Sequence, residues 1–109
     1  MGKILVIDDD LMIRKLMEKI LVKEGHEVYL AETGHSGFEI IKSKLPDLII
    51  LDLMLPDENG LDLLKTVKSI PETKMIPVIV LTGSSQIDDK LVALKSGAVD
   101  YISKPFLSE

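Results

Sequence analysis

The chain has 109 residues, of which 46% are hydrophobic and 28% are charged, and this balance is typical of one soluble globular domain. It contains no cysteine, which excludes disulfide bonds and thiolate metal sites and fits a reducing cytoplasm. The formal net charge of −5 disfavours binding to nucleic acid or to an anionic membrane surface, and no apolar run approaches the ~18 residues of a membrane span.

The first half of the chain predicts the order strand, helix, strand, helix. The run Ile4–Ile7 is continuously apolar, as in a parallel strand that helices cover on both faces. A helical stripe of apolar residues follows and ends near Gly25. Val28–Ala31 is a weaker strand candidate, and a second helical stripe ends at Pro46. The members of the two stripes are Ile13, Leu16, Met17 and Ile20, then Phe38, Ile41 and Leu45.

The second half repeats this order and adds a short fifth strand. Leu48–Leu51 and Val78–Leu81 are continuously apolar, like the first run. A third helical stripe lies between Gly60 and Pro71, and a fourth ends at Gly97. The stripe members are Leu61, Leu64 and Val67, then Ile87, Leu91 and Leu94, and the fifth strand is expected at Asp100–Ile102. Alternating strands and helices predict an α/β fold, a doubly wound parallel sheet with right-handed crossovers.

Polar residues follow most of the predicted strands. In a doubly wound sheet, ligands bind at the edge where the carboxyl ends of the strands meet. The residues that reach this edge are Asp8, Asp9 and Asp10 after the first strand, Asp52 after the third, Thr82, Gly83, Ser84 and Ser85 after the fourth, and Lys104 and Pro105 after the fifth. Asp10 also fits the N-cap of the first helix, and Ser84 and Ser85 fit a turn or a cap. Glu32 and Thr33, after the second strand, add little.

The acids at this edge predict a divalent-cation site that supports phosphoryl chemistry. Asp8, Asp9 and Asp52 would bring three carboxylates together, and like charges this close repel unless a cation separates them. Mg²⁺ prefers oxygen ligands and commonly takes one or two carboxylates with several waters. One carboxylate can then attack phosphorus, while the Thr82 hydroxyl and the Lys104 ammonium contact two of the phosphoryl oxygens.

The chain closely resembles the receiver domain of bacterial two-component response regulators, of the chemotaxis and sporulation type. The matching stretches are Ile4–Asp10, Leu51–Pro56 with Gly60, Val80–Gly83 and Gly97–Phe106. The resemblance implies a five-stranded parallel sheet in the flavodoxin-like order 2-1-3-4-5. It also implies a signalling switch that takes a phosphoryl group from a sensor histidine kinase or a phosphotransfer protein and controls a downstream output domain or protein. Such a domain is not an enzyme, apart from catalysing its own phosphorylation and dephosphorylation.

The resemblance assigns the acids to a phosphorylation site with a bound metal. Asp52 matches the phospho-acceptor, and Asp9 matches the direct ligand of Mg²⁺, for which Mn²⁺ is an alternative. Asp8 matches the acid that reaches the metal through water. Met54 matches the position whose backbone carbonyl completes the metal shell, so its side chain is open to variation.

The resemblance also assigns the residues that respond to phosphorylation. Thr82 matches the switch hydroxyl, and Tyr101 matches the switch aromatic residue. Lys104 matches the lysine that contacts the phosphoryl group, and the peptide bond to Pro105 is cis in this family. Gly83 stands where a small residue leaves room for the phosphoryl group.

The chain departs from the family pattern where it stops, at Glu109. Because the helices after strands 2, 3 and 4 share one face of the sheet, the helix Leu11–Lys23 stands alone on the other face. We therefore expect the domain 1–109 to lack the family's fifth helix and to expose apolar surface from strands 1, 3, 4 and 5 and from one flank of the first helix. We expect either a longer natural protein or self-association through this face.

Two other functions fit parts of the pattern. In a haloacid-dehalogenase-type phosphatase, Asp8 would be the nucleophile, because Asp-x-Asp follows an apolar strand and a later strand ends at Thr82. That alternative leaves Asp52 and the segment Gly97–Phe106 unexplained, and the chain is short for such an enzyme. The other alternative is an interaction module that is never phosphorylated, although such receivers usually lack an acid or the lysine.

Overall fold

The computed structural model describes residues 2–83 and 92–103. The predicted strands lie within one residue of the observed ones at each end, and three of the predicted helices are described as whole elements. The elements are β1 Lys3–Ile7, α1 Leu11–Lys23, β2 Glu27–Ala31, α2 Gly34–Lys44, β3 Leu48–Asp52, α3 Gly60–Ser69, β4 Val78–Thr82 and β5 Asp100–Ser103. Residues 92–95 are helical as well, which agrees with the end of the predicted fourth helix.

The five strands form one parallel sheet in the order β2-β1-β3-β4-β5, which confirms the predicted topology. The chain leaves β1 toward β2 on one side and continues with β3 on the other side. The point where the strand order reverses therefore lies between β1 and β3, and this is where ligands bind in sheets of this kind. No helix among the described residues has the length and apolar character to cross a membrane.

The sheet separates two apolar clusters, because successive side chains of a strand point to opposite faces. Leu5 and Ile7 of β1 pack on the face that α2 and α3 cover, which we call the α2–α3 face. Ile4 and Val6 pack on the face that α1 covers, the α1 face. The sequence predicted burial on both faces from the continuously apolar strands, and the two clusters confirm it.

Three residues that the helical stripes predicted for the core are exposed instead. Ile20 is 46% exposed, Leu45 50% and Leu94 37%. On α1 the stripe that meets the sheet contains Leu21 rather than Ile20. Leu45 is the C-cap of α2 with a left-handed backbone at φ 46°, so its side chain no longer follows the helix face. In the described end of the fourth helix, the buried residue is Ala93 and not its neighbour Leu94.

The expected exposure of the α1 face is wrong for most of the strand residues. Ile4 and Val6 of β1, Ile50 of β3 and Leu81 of β4 are all buried. Partial exposure on this face occurs farther along the sheet, for example at Ile102 of β5. Self-association through the face stays a prediction.

Candidate functional site

Three aspartates meet at the carboxyl edge of the sheet, where β1 and β3 lie side by side. Asp8 directly follows β1, and Asp52 is the last residue of β3. Both are buried, whereas Asp9 is exposed. Each contributes one carboxylate oxygen to a group in which all the oxygens lie within 4.8 Å of one another. The structure therefore brings together the three acids that the sequence predicted as a cluster.

The loop after β1 is held from three sides. The backbone N–H of Asp8 donates to the carbonyl of Ala31 at the end of β2, over 3.0 Å. The Asp8 carboxylate accepts from the backbone N–H of Asp10 at 2.9 Å, and Arg14 Nη1 donates to the Asp8 carbonyl at 2.8 Å. Asp10 itself caps α1, as its position predicted, because its side chain accepts from the N–H of the second residue of the helix.

The Asp52 carboxylate is oriented by the residues that follow it. The backbone N–H of Met54 donates to Asp52 Oδ1 at 3.1 Å, and the N–H of Leu53 donates to the Leu81 carbonyl at 3.1 Å. The side chain of Met54 is 79% exposed. Its main chain, by contrast, lies beside Asp52 and forms an isolated antiparallel bridge with Asn59.

Gly60 allows α3 to begin directly against the end of β3. A Cβ atom at this position would lie 2.4 Å from the carbonyl oxygen of Asp52 and 2.6 Å from the Cα of Leu53. The N–H of Gly60 donates to the Leu53 carbonyl at 2.8 Å. Only glycine permits so close an approach of two backbone segments, so this residue fixes where the chain turns after Asp52.

Thr82 reaches the same edge from β4. In the parallel register Asp52 lies beside Leu81, so Thr82 is one position farther toward the edge, and it is buried. Tyr101 pairs with Val80, two residues before Thr82, and packs partly buried against the cluster of the α2–α3 face. The two predicted switch residues therefore lie on neighbouring strands, and their side chains belong to the same face of the sheet.

The remaining predicted site residues fall into two groups. Gly83 is exposed, and an added Cβ atom would meet nothing within 4 Å among the described residues, which agrees with the space expected there. Lys104, Pro105 and Ser84 lie outside the described residues. The same is true of most of the predicted fourth helix, before residue 92.

The family follows from a comparison with known proteins, in which the model of the response regulator receiver domain matches residues 4–109. The chain belongs to this receiver-domain family. It is therefore a module of two-component signal transduction rather than a classical enzyme, and its family supports signalling that depends on phosphorylation.

A curated protein is similar to this chain along almost the whole length of the chain. The transcriptional regulatory protein AfsQ1 of Streptomyces coelicolor is 40% identical over 105 residues, which are 96% of this chain and 45% of that protein. This receiver domain thus spans less than half the length of that curated relative.

Solved structures share the fold. The chemotaxis response regulator CheY4 of Vibrio cholerae has a TM-score of 0.92 and 29% identity, covering 97% of this chain and 88% of that one. The Mn²⁺-bound form of response regulator Rcp1 has a TM-score of 0.88 and 29% identity, and the match covers 95% of this chain and 81% of that one.

The donor atoms of this receiver domain suit a hard divalent cation. Carboxylate oxygens are the ligands that Mg²⁺ and Mn²⁺ prefer. Oxygen atoms around an octahedral Mg²⁺ lie roughly 3–4 Å apart, and the oxygens of Asp8, Asp9 and Asp52 within 4.8 Å are close to that spacing. The group is also buried on one side and exposed at Asp9, so that water can complete a coordination shell.

The loop between β3 and α3 of the receiver domain also contacts α2. Asp57 Oδ1 accepts from the N–H of Gly34 at 2.8 Å, and Oδ2 accepts from the N–H of His35 at 2.9 Å. These two hydrogen bonds lower the pKa of Asp57 below its usual range. Burial raises the pKa of the neighbouring Glu58, and the negative charges of Asp57 and Asp62 act in the same direction.

Two residues of this region, Arg14 and Asp57, were not singled out by the sequence. Their partners are backbone groups, and backbone groups leave no residue-type signature in a sequence. Arg14 follows the acidic run on α1, so a basic residue one turn after Asp10 was the only available signal. Asp57 is 23 residues from Gly34, and a local pattern cannot show that contact.

Proposed function

We propose that this receiver domain accepts a phosphoryl group on Asp52 from a phosphohistidine of a sensor histidine kinase or of a phosphotransfer protein. The observation that carries the proposal is the meeting of the Asp8, Asp9 and Asp52 carboxylates within 4.8 Å at the reversal point of the sheet. Like charges so close together oppose folding unless a cation joins them, so their presence is best explained by a use.

Asp52 is the proposed nucleophile among the three acids. It ends a central strand, and the Met54 N–H fixes one of its carboxylate oxygens. In the reaction a carboxylate oxygen of Asp52 forms a bond to phosphorus while the bond from phosphorus to the histidine nitrogen breaks. The histidine nitrogen keeps the electron pair of that bond. Asp8 would take this role in the phosphatase alternative, but the chain belongs to the receiver-domain family, and that alternative gives Asp52 no role at the same edge.

Mg²⁺ would be held by Asp9 and Asp52 directly, by Asp8 through water, and by the backbone carbonyl of Met54. When bound, the cation neutralises charge on the phosphoryl oxygens, which is the main requirement of phosphoryl transfer. The Thr82 hydroxyl would donate to a second phosphoryl oxygen, and the Lys104 ammonium would contact a third. Mn²⁺ fits the same oxygen ligands.

The proposed output is a change around Thr82 and Tyr101. A phosphoryl group adds up to about two negative charges and new acceptor oxygens beside Thr82. Movement of Thr82 toward that group would leave space on the α2–α3 face, into which the half-buried Tyr101 can turn. A shift from 1:99 to 99:1 between two states needs about 5.5 kcal/mol, so phosphorylation would bias the equilibrium and an output partner would complete the change.

The proposed partners follow from this chemistry. A kinase or phosphotransfer protein supplies the phosphoryl group in the cytoplasm, and an output domain or protein reads the altered surface. One relative is named as a transcriptional regulatory protein, and in that setting DNA binding would belong to the output part and not to this acidic domain.

Mass spectrometry after incubation with Mg²⁺ and acetyl phosphate tests the proposal. The wild-type domain should gain one phosphoryl group, and Asp52→Asn should gain none while keeping its fold, because the two side chains are nearly isosteric. The exposed Asp62 on α3 offers a matched control, since Asp62→Asn removes the same charge outside the acidic cluster and should still be labelled. Labelling that persists in Asp52→Asn and disappears in Asp8→Asn would favour the phosphatase alternative.

A further inference from the structure

The tip of the loop between β3 and α3 is fastened to a helix that is remote in sequence. Asp57 accepts two hydrogen bonds at the start of α2, from the N–H groups of Gly34 at 2.8 Å and His35 at 2.9 Å. Each carboxylate oxygen takes one bond, so the carboxylate plane is fixed relative to the helix axis. The side chain is otherwise exposed, and these bonds account for its position.

Helix α2 depends on this contact for its first turn. The first backbone N–H groups of a helix have no partner within the helix itself. Thr33 Oγ1 accepts from the third of these groups, at Ser36, and the Gly37 N–H makes the first regular helical bond, to the Thr33 carbonyl. The first two, at Gly34 and His35, are satisfied by Asp57 from the other loop. A carboxylate at this place also interacts favourably with the helix dipole.

The base of the same loop is part of the proposed phosphorylation site. Met54 and Asn59 form a bridge that closes the loop, and the N–H of Met54 orients the Asp52 carboxylate. Asn59 caps α3 by accepting from the Leu61 N–H at 2.8 Å. Only Leu55, Pro56, Asp57 and Glu58 lie between the two bridge residues. With so few residues between, a displacement of Asp57 is transmitted to the main chain at Met54.

We propose that Asp57 is a positioning residue for the metal site: by binding the first turn of α2, it holds the Met54 carbonyl in the direction that a divalent cation requires. The inference rests on the proposed function, in which this carbonyl is a metal ligand. Groups that orient a ligand from outside the coordination shell commonly change metal affinity by about 10–100-fold when removed. Asp57 acts here through the backbone rather than through a ligand side chain.

The coupling must act in both directions. If the hydrogen bonds between Asp57 and α2 increase the affinity for the cation, then a bound cation stabilises those hydrogen bonds by the same factor. Binding of Mg²⁺ should therefore slow hydrogen exchange at the Gly34 and His35 amides, although neither residue belongs to the acidic cluster. A cap that only adds stability to α2 would give these amides no dependence on the cation.

The experiment measures the affinity for Mn²⁺ and Mg²⁺, by calorimetry, of the wild-type domain and three variants. Asp57→Ala removes both acceptors and should weaken binding about tenfold. Asp57→Asn keeps one acceptor oxygen and should lie between the wild type and Asp57→Ala. Asp62→Asn removes an equal charge from the first turn of α3 and should stay within about twofold of the wild type, since the long-range effect of one exposed charge is small.

Hydrogen exchange at Gly34 and His35, with and without Mg²⁺, is the second measurement. The wild type should show slower exchange with the cation, and Asp57→Ala should lose this response. An Asp57→Ala domain that melts at a lower temperature but binds the cation as well as the wild type would overturn the inference, because Asp57 would then only stabilise α2. A wild-type domain that binds no divalent cation would instead contradict the proposed function, and the two failures are thus distinguishable.

Discussion

The polar side chains at the two edges of the sheet have different surroundings. At the amino edge, Thr73 is buried and its hydroxyl donates to the Val67 carbonyl at 2.6 Å. Lys68 Nζ donates to the carbonyls of Ile76 at 2.6 Å and Lys74 at 3.2 Å, and burial lowers the pKa of its ammonium group. These polar side chains bind the backbone of one connection and thereby stabilise it.

Among the described residues, the carboxyl edge instead brings three carboxylates together. Asp8 and Asp52 are buried beside the exposed Asp9, and their oxygens lie within 4.8 Å of one another. Such an arrangement opposes folding, whereas the hydrogen bonds of Thr73 favour it. Burial alone therefore does not distinguish a functional polar residue from a structural one. The neighbouring groups differ instead: Thr73 and Lys68 bind backbone carbonyls at the amino edge, whereas three carboxylates lie side by side at the carboxyl edge.

The largest expected effect comes from Gly60, which joins the carboxyl edge to α3. Gly60→Ala places a Cβ atom 2.4 Å from the Asp52 carbonyl oxygen, so the backbone of β3 or α3 must shift. We expect a loss of about 3 kcal/mol in the free energy of unfolding, measured by urea denaturation, together with loss of labelling. Gly83→Ala is the matched control at the same edge, because its Cβ atom meets none of the described residues within 4 Å. Equal stability of the two variants would contradict the close approach.

The next effect tests the amino edge. Thr73→Val keeps the shape of the side chain and removes the hydroxyl that donates to the Val67 carbonyl. The domain should lose about 1–2 kcal/mol of unfolding free energy, and its affinity for Mg²⁺ should not change. Thr66→Val is the control, since the Thr66 hydroxyl makes its hydrogen bond to the Asp62 carbonyl on an exposed part of α3. If Thr73→Val altered metal binding, the two edges would not be independent.

Removal of charge at the carboxyl edge should have the opposite sign. Asp9→Asn relieves repulsion among the three acids, and without divalent cations the melting temperature should rise. The gain should be roughly 0.5–1 kcal/mol, as is typical of partly exposed charge pairs. Addition of Mg²⁺ should stabilise the wild type and leave the variant almost unchanged. A rise in melting temperature with Mg²⁺ that is equal in both proteins would rule out Asp9 as a ligand.

The smallest effect concerns Glu58, beside the cap of α2. Because burial raises its pKa in the folded state, the folded domain is destabilised as the pH rises through the unfolded-state value near 4.5 toward the higher folded value. Glu58→Gln should therefore stabilise the domain at pH 7, by at most about 0.5 kcal/mol, and should have no such effect well below pH 4.5. Chemical denaturation at the two pH values measures the difference in unfolding free energy between wild type and variant. A larger stabilisation by Glu58→Gln in acid than at pH 7 would show that the pKa of Glu58 is not raised.

The sequence predicted the sheet well because the strands are buried on both faces. Runs such as Leu48–Leu51 have no polar interruption, so their position could be read to within one residue. Helix stripes were less reliable near helix ends. Leu45 fits the period of α2, but it lies at the left-handed C-cap, where the period no longer determines direction. Ile20 also fits the period of α1, yet Leu21 is the residue that meets the sheet.

The acidic site could be predicted because the strand order brings distant motifs to one edge. Asp8 and Asp52 are 44 residues apart, and the topology alone places them together. The support around them could not be predicted in the same way. Asp57 and Arg14 hold backbone groups, and their partners depend on the three-dimensional path of the chain rather than on residue type.

The main chain of Met54 is constrained by its neighbours, whereas the side chain of Met54 is not. The main chain is fixed beside Asp52, while the side chain is 79% exposed and takes no part in either apolar cluster. Substitution there changes the size and polarity of the surface next to Asp52 without removing contacts of either apolar cluster. If Asp52 is phosphorylated as proposed, a mutation at this position would act on the lifetime of the acyl phosphate and leave the fraction of folded protein unchanged. In that case natural variation at this residue would change the duration of the signal while the scaffold stays the same.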